Sequence, residues 1–250
     1  GGPLNYELGV LFVSCGIRIL QGYGQTEFAP VVSCNRAENN KLRTVGPPMV
    51  GAEAKIADDG EILLRGESMM KGYWNLPEVT AATIIDGWLH TGDIGKFDEE
   101  GSLVITDRKK DIIVNSGGDN ISPQRIEGLL TLETEISQAM VYGDDKPYLV
   151  AVLWPDEDFM REFAKENGIE NNIDLLGENE EFRKKIRTAV DHVNRRLSTI
   201  EKVRSFTFAE SPFSIDNEML TPSMKIRRHK IKAAYGQALD ALYQRKRGGQ

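Results

Sequence analysis

The sequence predicts a mixed α/β chain of the α+β kind, on three observations. Short apolar runs broken by Gly, Pro and Asp fill the first hundred residues. Strands and helices alternate in the second half, and 40% hydrophobic against 28% charged residues is the balance of an ordinary globular protein. GIRIL, VVSC, EILLRG and SLVIT read as strands separated by turns, with no helix expected among them. Ser122-Pro123 marks a helix start, because Ser can accept a free backbone N–H and Pro is tolerated at the first helical position; Ile126, Leu129 and Leu130 give that helix one apolar face. QAMVYG and YLVAVLW are further strands, and Pro155 opens a short helix that Gly168 ends. Phe182, Ile186, Ala189, Val190, Val193 and Leu197 recur at helical spacing and define the clearest helix, from about Glu180. VRSFTFA follows as a strand, and a last helix carries Ile231, Tyr235, Ala238 and Leu242 on one side.

Composition excludes several classes. Gly totals 24, Pro 10 and Cys 2 in 250 residues, which rules out collagenous, disordered and disulfide-stapled chains. Cys15 and Cys34 form no CxxC pair and have no His at ligand spacing, so they read as small apolar side chains. No run approaches the ~18 apolar residues of a membrane span, and the first residues carry no basic, cleavable leader, so a cytoplasmic protein is the expectation. The net charge of −7 argues against general nucleic-acid binding, but it is unevenly spread: residues 156–181 hold ten acidic and two basic side chains, residues 221–250 eight basic and one acidic. A change of composition at DRKKD, residues 107–111, marks a domain boundary.

Four segments carry chemistry. In GYGQTE, residues 22–27, Gly22 and Gly24 permit close approach of backbone to a ligand, Tyr23 offers an aromatic face, Thr26 a hydroxyl and Glu27 a hard oxygen ligand for Mg²⁺. Alone, such a Gly-flanked aromatic is more often just a turn. In DGWLHTGD, residues 86–93, Asp93 held by a Gly turn can accept from both hydroxyls of a ribose, or can serve its own turn; His90 has no evident partner. In DRKKDIIVNSGGDNISP, residues 107–123, Arg108 suits phosphate or ribose oxygens, and Gly117 and Gly118 admit a thin, extended ligand, but a charged turn and a Gly loop fit as well. In LTPSMKIRRHK, residues 220–230, Lys225 can neutralise charge developing on an α-phosphate, or can belong to a solvated basic face.

In this order the four segments resemble the adenylate-forming superfamily of acyl-CoA synthetases, luciferases and peptide-synthetase adenylation domains. GGPL at the start and GEILLRGESMMKGYW extend the resemblance over essentially the whole chain. LTPSMK and the acidic insert before it look most like long-chain fatty acyl-CoA synthetases; Ser223-Met224-Lys225 departs from the Ser-Gly-Lys form more usual in short-chain and aryl members. The resemblance implies the β-rich C-terminal part of a large AMP-binding domain over residues 1–109 and a small, mobile α+β domain over 110–250. It implies ATP, Mg²⁺, CoA and a fatty acid as small-molecule partners. Tyr23 would stack on adenine beside Gly24, Thr26 would meet the α-phosphate, Glu27 would bind Mg²⁺, and Asp93 and Arg108 would hold the ribose hydroxyls. Lys110 matches the hinge about which the small domain turns between half-reactions, Gly117 the place where pantetheine threads, and Lys225 the lysine of the adenylation step.

The superfamily's Ser/Thr/Gly-rich phosphate loop and most of its acyl pocket have no counterpart in the 250 residues. The resemblance therefore implies the C-terminal portion of a longer ligase that does not turn over alone. Aryl, medium-chain and amino-acid substrates stay open as alternatives. A different class of reading is a basic-tailed module that docks on anionic lipid or nucleic acid through residues 221–250, with RKR at 245–247. It leaves the four ordered motifs unexplained, so no nucleic-acid partner is expected and peripheral membrane association is kept only as an accessory property.

Overall fold

The computed structural model describes residues 4–244; the first three residues of GGPL and the RKR run at 245–247 lie outside the described residues. The chain divides into two compact units between Lys110 and Asp111.

The first unit begins with α1 (Tyr6–Ser14), where the Asn5 side chain accepts from Glu7 N–H at 2.9 Å and Leu8 N–H at 3.2 Å, a regular N-cap. A two-stranded ribbon of β1 (Gly22–Tyr23) and β2 (Ser33–Cys34) follows, closed by a 3₁₀ turn at Thr26–Phe28. The main sheet is built from β3 (Ala52–Ile56), β4 (Glu61–Gly66), β5 (Ile84–Ile85), β6 (Trp88–Phe97) and β7 (Leu103–Arg108), with α2 (Pro77–Thr83) before β5. All its pairings are antiparallel; β6 pairs with β4, with β5 near its start and with β7 near its end. Phe28, Val32, Ile62, Leu64, Leu89 and Leu103 form its core.

Two sequence expectations fail in this unit. GIRIL is not a strand, and helices α1 and α2 stand where only strands are expected. YELGVLFVS is apolar on almost every side, so it shows no helical period, and Leu8, Val10, Leu11, Phe12 and Val13 remain exposed.

The second unit carries a short ribbon, β8 (Ile113–Val114) with β9 (Asn120–Ile121), and then α3 (Pro123–Leu130) with Pro123 in its first turn. Its sheet has the order β10 (Ile136–Tyr142), β11 (Leu149–Pro155), β12 (Val203–Phe208), the first pair antiparallel and the second parallel. Every residue of β11 is buried, which is why YLVAVLW reads as a continuous apolar run rather than an alternating one. The parallel step from β11 to β12 is made by α4 (Glu157–Asn167), α5 (Ile173–Glu178) and α6 (Glu180–Asn194). Asp156 caps α4 and Gly168 ends it at φ +64°, whereas Pro155 closes the strand instead of opening the helix. On α6 the buried face is Phe182, Ile186, Ala189, Val190 and Val193, as its period requires. The last helix, α7 (Arg228–Gln244), buries Ile231, Tyr235, Leu239 and Leu242; Ala238 is exposed, one position off the face assigned to it.

Candidate functional site

In the first unit, residues far apart in sequence meet at the β6–β7 edge. Along β6 the odd positions face inward, so Leu89, Thr91, Asp93 and Gly95 are buried, and a carboxylate stands where the alternation calls for an apolar side chain. Asp93 lies opposite Arg108 in the ladder, and Arg108 Nε donates to Asp93 Oδ1 at 2.9 Å. Tyr23 donates its hydroxyl to Asp93 Oδ2 at 2.6 Å. Burial pushes the Tyr23 phenol up from its ordinary value, reinforced by the neighbouring Asp93 charge, so the hydroxyl stays protonated as a donor. Thr91 Oγ1 accepts from Asp93 N–H at 3.0 Å and donates to the Ile62 carbonyl at 2.7 Å, which fastens the turn to β4. Each Asp93 oxygen keeps a lone pair beyond its Tyr23 or Arg108 bond, enough to accept one hydroxyl of a vicinal diol.

Glu27 and Tyr73 form a second pair. Tyr73 donates to Glu27 Oε1 at 2.8 Å, and that bond, more than burial, raises the Tyr73 phenol. The bond leaves Oε2 of Glu27 available, which fits a Mg²⁺ carried by phosphate, an ion that takes one or two carboxylates and keeps its other positions for phosphate and water. Among the described residues no group of three or more His, Cys, Asp or Glu could cage a metal by itself. Thr26 is exposed. Gly24 is required by the chain's own backbone: a Cβ there would lie 1.7 Å from the Pro30 carbonyl oxygen. Residues 30–31 pass against Gly24 at a distance that only a glycine allows.

Gly117 and Lys225 belong to the second unit. Gly117 sits exposed in the loop between β8 and β9, its N–H bonded to Asn115 Oδ1 at 2.9 Å, and Gly118 follows at φ +84°. Lys225 sits on a turn that the chain closes on itself: Thr221 Oγ1 accepts from Lys225 N–H at 3.0 Å, Thr221 N–H donates to the Lys225 carbonyl at 2.8 Å, and Leu220 bridges to Ile226. Met224 takes φ +60°, the left-handed region where glycine is at ease, so the departure from a Ser-Gly-Lys form has a backbone cost.

The basic cluster around Lys225 is mostly committed. Arg228 pairs with Glu127 at 2.6 Å, Lys230 with Glu218 at 2.6 Å, Arg227 with Glu218 at 3.7 Å, and Lys232 lies 5.1 Å from the Tyr142 ring centre. Lys225 is exposed and makes no ion pair among the described residues, so its ammonium is not committed to a carboxylate as those of its basic neighbours are.

Lys110 is exposed at the last position before the boundary between units. Sequence reasoning missed Tyr73, Thr91 and Glu61. It also left His90 without a partner, whereas His90 Nδ1 lies 3.0 Å from Glu61 Oε2.

Comparison with known proteins gives the family. Residues 1–74 match the model of the AMP-binding enzymes, and residues 110–247 match that of the AMP-binding enzyme C-terminal domain. The chain belongs to the AMP-binding enzyme family. This AMP-binding enzyme chain is 36% identical over 245 residues to the long-chain-fatty-acid–CoA ligase FadD15 of Mycobacterium bovis, covering 97% of the chain and 41% of that protein. It is 32% identical to human long-chain-fatty-acid–CoA ligase 6, covering 94% of the chain and 36% of that ligase. The chain thus spans about two fifths of the curated relatives it matches. Among solved structures, o-succinylbenzoate CoA synthetase of Bacillus subtilis in complex with AMP aligns with a TM-score of 0.71 at 27% identity, over 93% of this chain and 44% of that one. The adenylation domain of a carboxylate reductase from Mycobacterium chelonae aligns with a TM-score of 0.80 at 24% identity, over 98% of this chain and 38% of that one, a likeness of fold. The α/β architecture is that of the adenylation domains in this AMP-binding superfamily.

Proposed function

We propose that this chain is the C-terminal portion of a long-chain fatty acid–CoA ligase, which activates the acid with ATP as an acyl-adenylate and passes the acyl group to the CoA thiol. The observation that carries the reading is the convergence of Tyr23 and Arg108 on one buried carboxylate, Asp93, within a chain whose curated relatives include long-chain fatty acid–CoA ligases.

In this reading the Tyr23 ring covers adenine while its hydroxyl holds Asp93, and Asp93 with Arg108 binds the ribose diol. Thr26 offers its hydroxyl to the α-phosphate. Glu27, oriented by Tyr73, holds Mg²⁺, which when bound offsets negative charge on the phosphates. Lys225, exposed and unpaired among the described residues, is the cation that stabilises charge as the carboxylate attacks the α-phosphate and pyrophosphate leaves; such an interaction is worth a few kcal/mol, on the order of 3. Lys110 is the hinge between the portion of the large AMP-binding domain, residues 1–109, and the small mobile domain. The exposed Gly117 loop lines the path of the CoA arm in the second half-reaction.

Because the chain spans about two fifths of the ligases it matches, the 250 residues alone should not turn over. Peripheral membrane contact is an accessory of a fatty-acid enzyme; no helix among the described residues is long and apolar enough to cross a membrane. ATP–pyrophosphate exchange by the intact ligase across a panel of fatty, aryl and amino acids tests the reading. Long-chain fatty acids should drive exchange, and a preference for amino or aryl acids would overturn the fatty-acid assignment.

A further inference from the structure

On the face of β6 opposite Asp93, the carboxylate of Glu61 gathers three groups. Glu61 stands at the head of β4 and is 4% exposed. It accepts from Lys109 Nζ at 2.9 Å and from Gly92 N–H at 2.8 Å, and it shares a hydrogen bond with His90 Nδ1 at 3.0 Å. Lys109 makes a second ion pair with Asp59 at 2.7 Å, and its backbone N–H donates to the Gly92 carbonyl at 2.8 Å. Burial alone would push the Glu61 carboxyl up, but the bonds from Lys109, His90 and Gly92 outweigh it and hold the group below the usual glutamate range.

The positions of these partners matter more than their number. Gly92 immediately precedes Asp93, and Lys109 immediately follows Arg108, so one buried carboxylate ties the flanks of both members of the pair. The backbone ties the same flanks through the Lys109 N–H to Gly92 carbonyl bond and the Asp93–Arg108 pairing, but the ladders around this stretch are irregular. Pairing slips between Glu61 and Leu63 on the β4 side of β6 and between Ile94 and Gly95 on the β7 side, both next to Asp93. A ladder broken on both sides leaves local backbone direction to other bonds.

We propose that Glu61 is a positioning residue for nucleotide recognition, which by tying Gly92 to Lys109 aims the Asp93 carboxylate and the Arg108 guanidinium at the vicinal hydroxyls of a ribose. This rests on the ligase reading, in which that pair meets the ribose of ATP. Glu61 touches no substrate and acts only through its neighbours. Its signature is therefore a loss of discrimination for the ribose hydroxyls, with the acid and CoA unaffected.

The test compares ATP with 2′-deoxyATP and 3′-deoxyATP in pyrophosphate exchange by the intact ligase, for the wild type, Glu61→Gln, Lys109→Met and Asp93→Ala. Glu61→Gln keeps an acceptor for Gly92 but removes the charge that holds Lys109. The preference for ATP should fall about tenfold, the worth of a hydrogen bond to a charged group, through KM for ATP and with KM for the acid unchanged. Lys109→Met, on an exposed side chain, should move the preference the same way by a smaller factor, and it decides the matter if Glu61→Gln does not fold. The proposal is overturned if a variant with wild-type melting temperature keeps the full ATP preference while Asp93→Ala loses it. Were Asp93→Ala also to keep the preference, the ribose assignment itself would fall, and the positioning role with it.

Discussion

Replacing Arg228 by Met should destabilise the second unit more than any surface substitution near Lys225. Arg228 opens α7, where a cation is opposed by the positive end of the helix dipole, and the structure offsets this with a buried carboxylate. Its Nη1 and Nη2 donate to the two oxygens of Glu127 at 2.7 and 2.6 Å, and Val141 N–H donates to the same carboxylate at 2.7 Å. The side chains are 19% and 8% exposed, so the pair is shielded from solvent and joins α3, β10 and α7. Removing the guanidinium strands a buried anion, which costs about 3–5 kcal/mol. The double variant Arg228→Met/Glu127→Gln removes the stranded charge while keeping an acceptor for Val141, and should lose clearly less than Arg228→Met alone. Urea unfolding read by Trp154 fluorescence, in a Trp74→Phe/Trp88→Phe background, reports this unit because the chain holds three Trp and only Trp154 lies beyond residue 110. A loss below about 1 kcal/mol for Arg228→Met, the size of a surface ion pair, or a double variant no better than the single, would show that Arg228 and Glu127 are not a buried, coupled pair.

Lys225→Ala in the intact ligase should abolish formation of the acyl-adenylate yet leave CoA attack on supplied acyl-adenylate largely intact, as single-turnover product analysis would show; loss of both steps would point to a folding defect. Lys110→Pro should do the opposite, sparing adenylation and impairing thioester formation, because proline restricts the backbone torsion at that position. Met224→Gly should stabilise the Lys225 turn, since φ +60° costs a side-chain-bearing residue about 1 kcal/mol, and a lowered melting temperature would contradict the backbone account.

The parts of the molecule that were legible in the sequence are those whose signal is local. The period of Phe182, Ile186, Ala189, Val190 and Val193 defines α6, and Gly168 marks the end of α4, whereas its start lies at the Asp156 cap and not at Pro155. Lone Asp93 and Arg108 stand out in TGD and DRKK, but their pairing with each other and with Tyr23 does not, because the Tyr23–Asp93 bond spans 70 residues. Glu61 was hidden for the same reason: Lys109 lies 48 positions away. A faint signal existed, since Glu61 heads a run of three buried apolar residues, a place where a carboxylate must be paired. Helix α1 is illegible because its sequence is apolar almost all round, and Ala238 and the buried Leu239 both fit a 3.6-residue period within one position. The motif order fixes the family in sequence; the long-range bonds that assemble the site need coordinates.

In the proposed reading Tyr23, Asp93, Arg108 and Lys225 serve adenylate chemistry on a fatty acid. Its most direct test is the stoichiometry of the intact ligase supplied with palmitate, ATP and CoA. AMP, pyrophosphate and palmitoyl-CoA should appear in equal amounts, and Lys225→Ala should abolish all three. Release of ADP and phosphate, or thioester formation undiminished by Lys225→Ala, would contradict it.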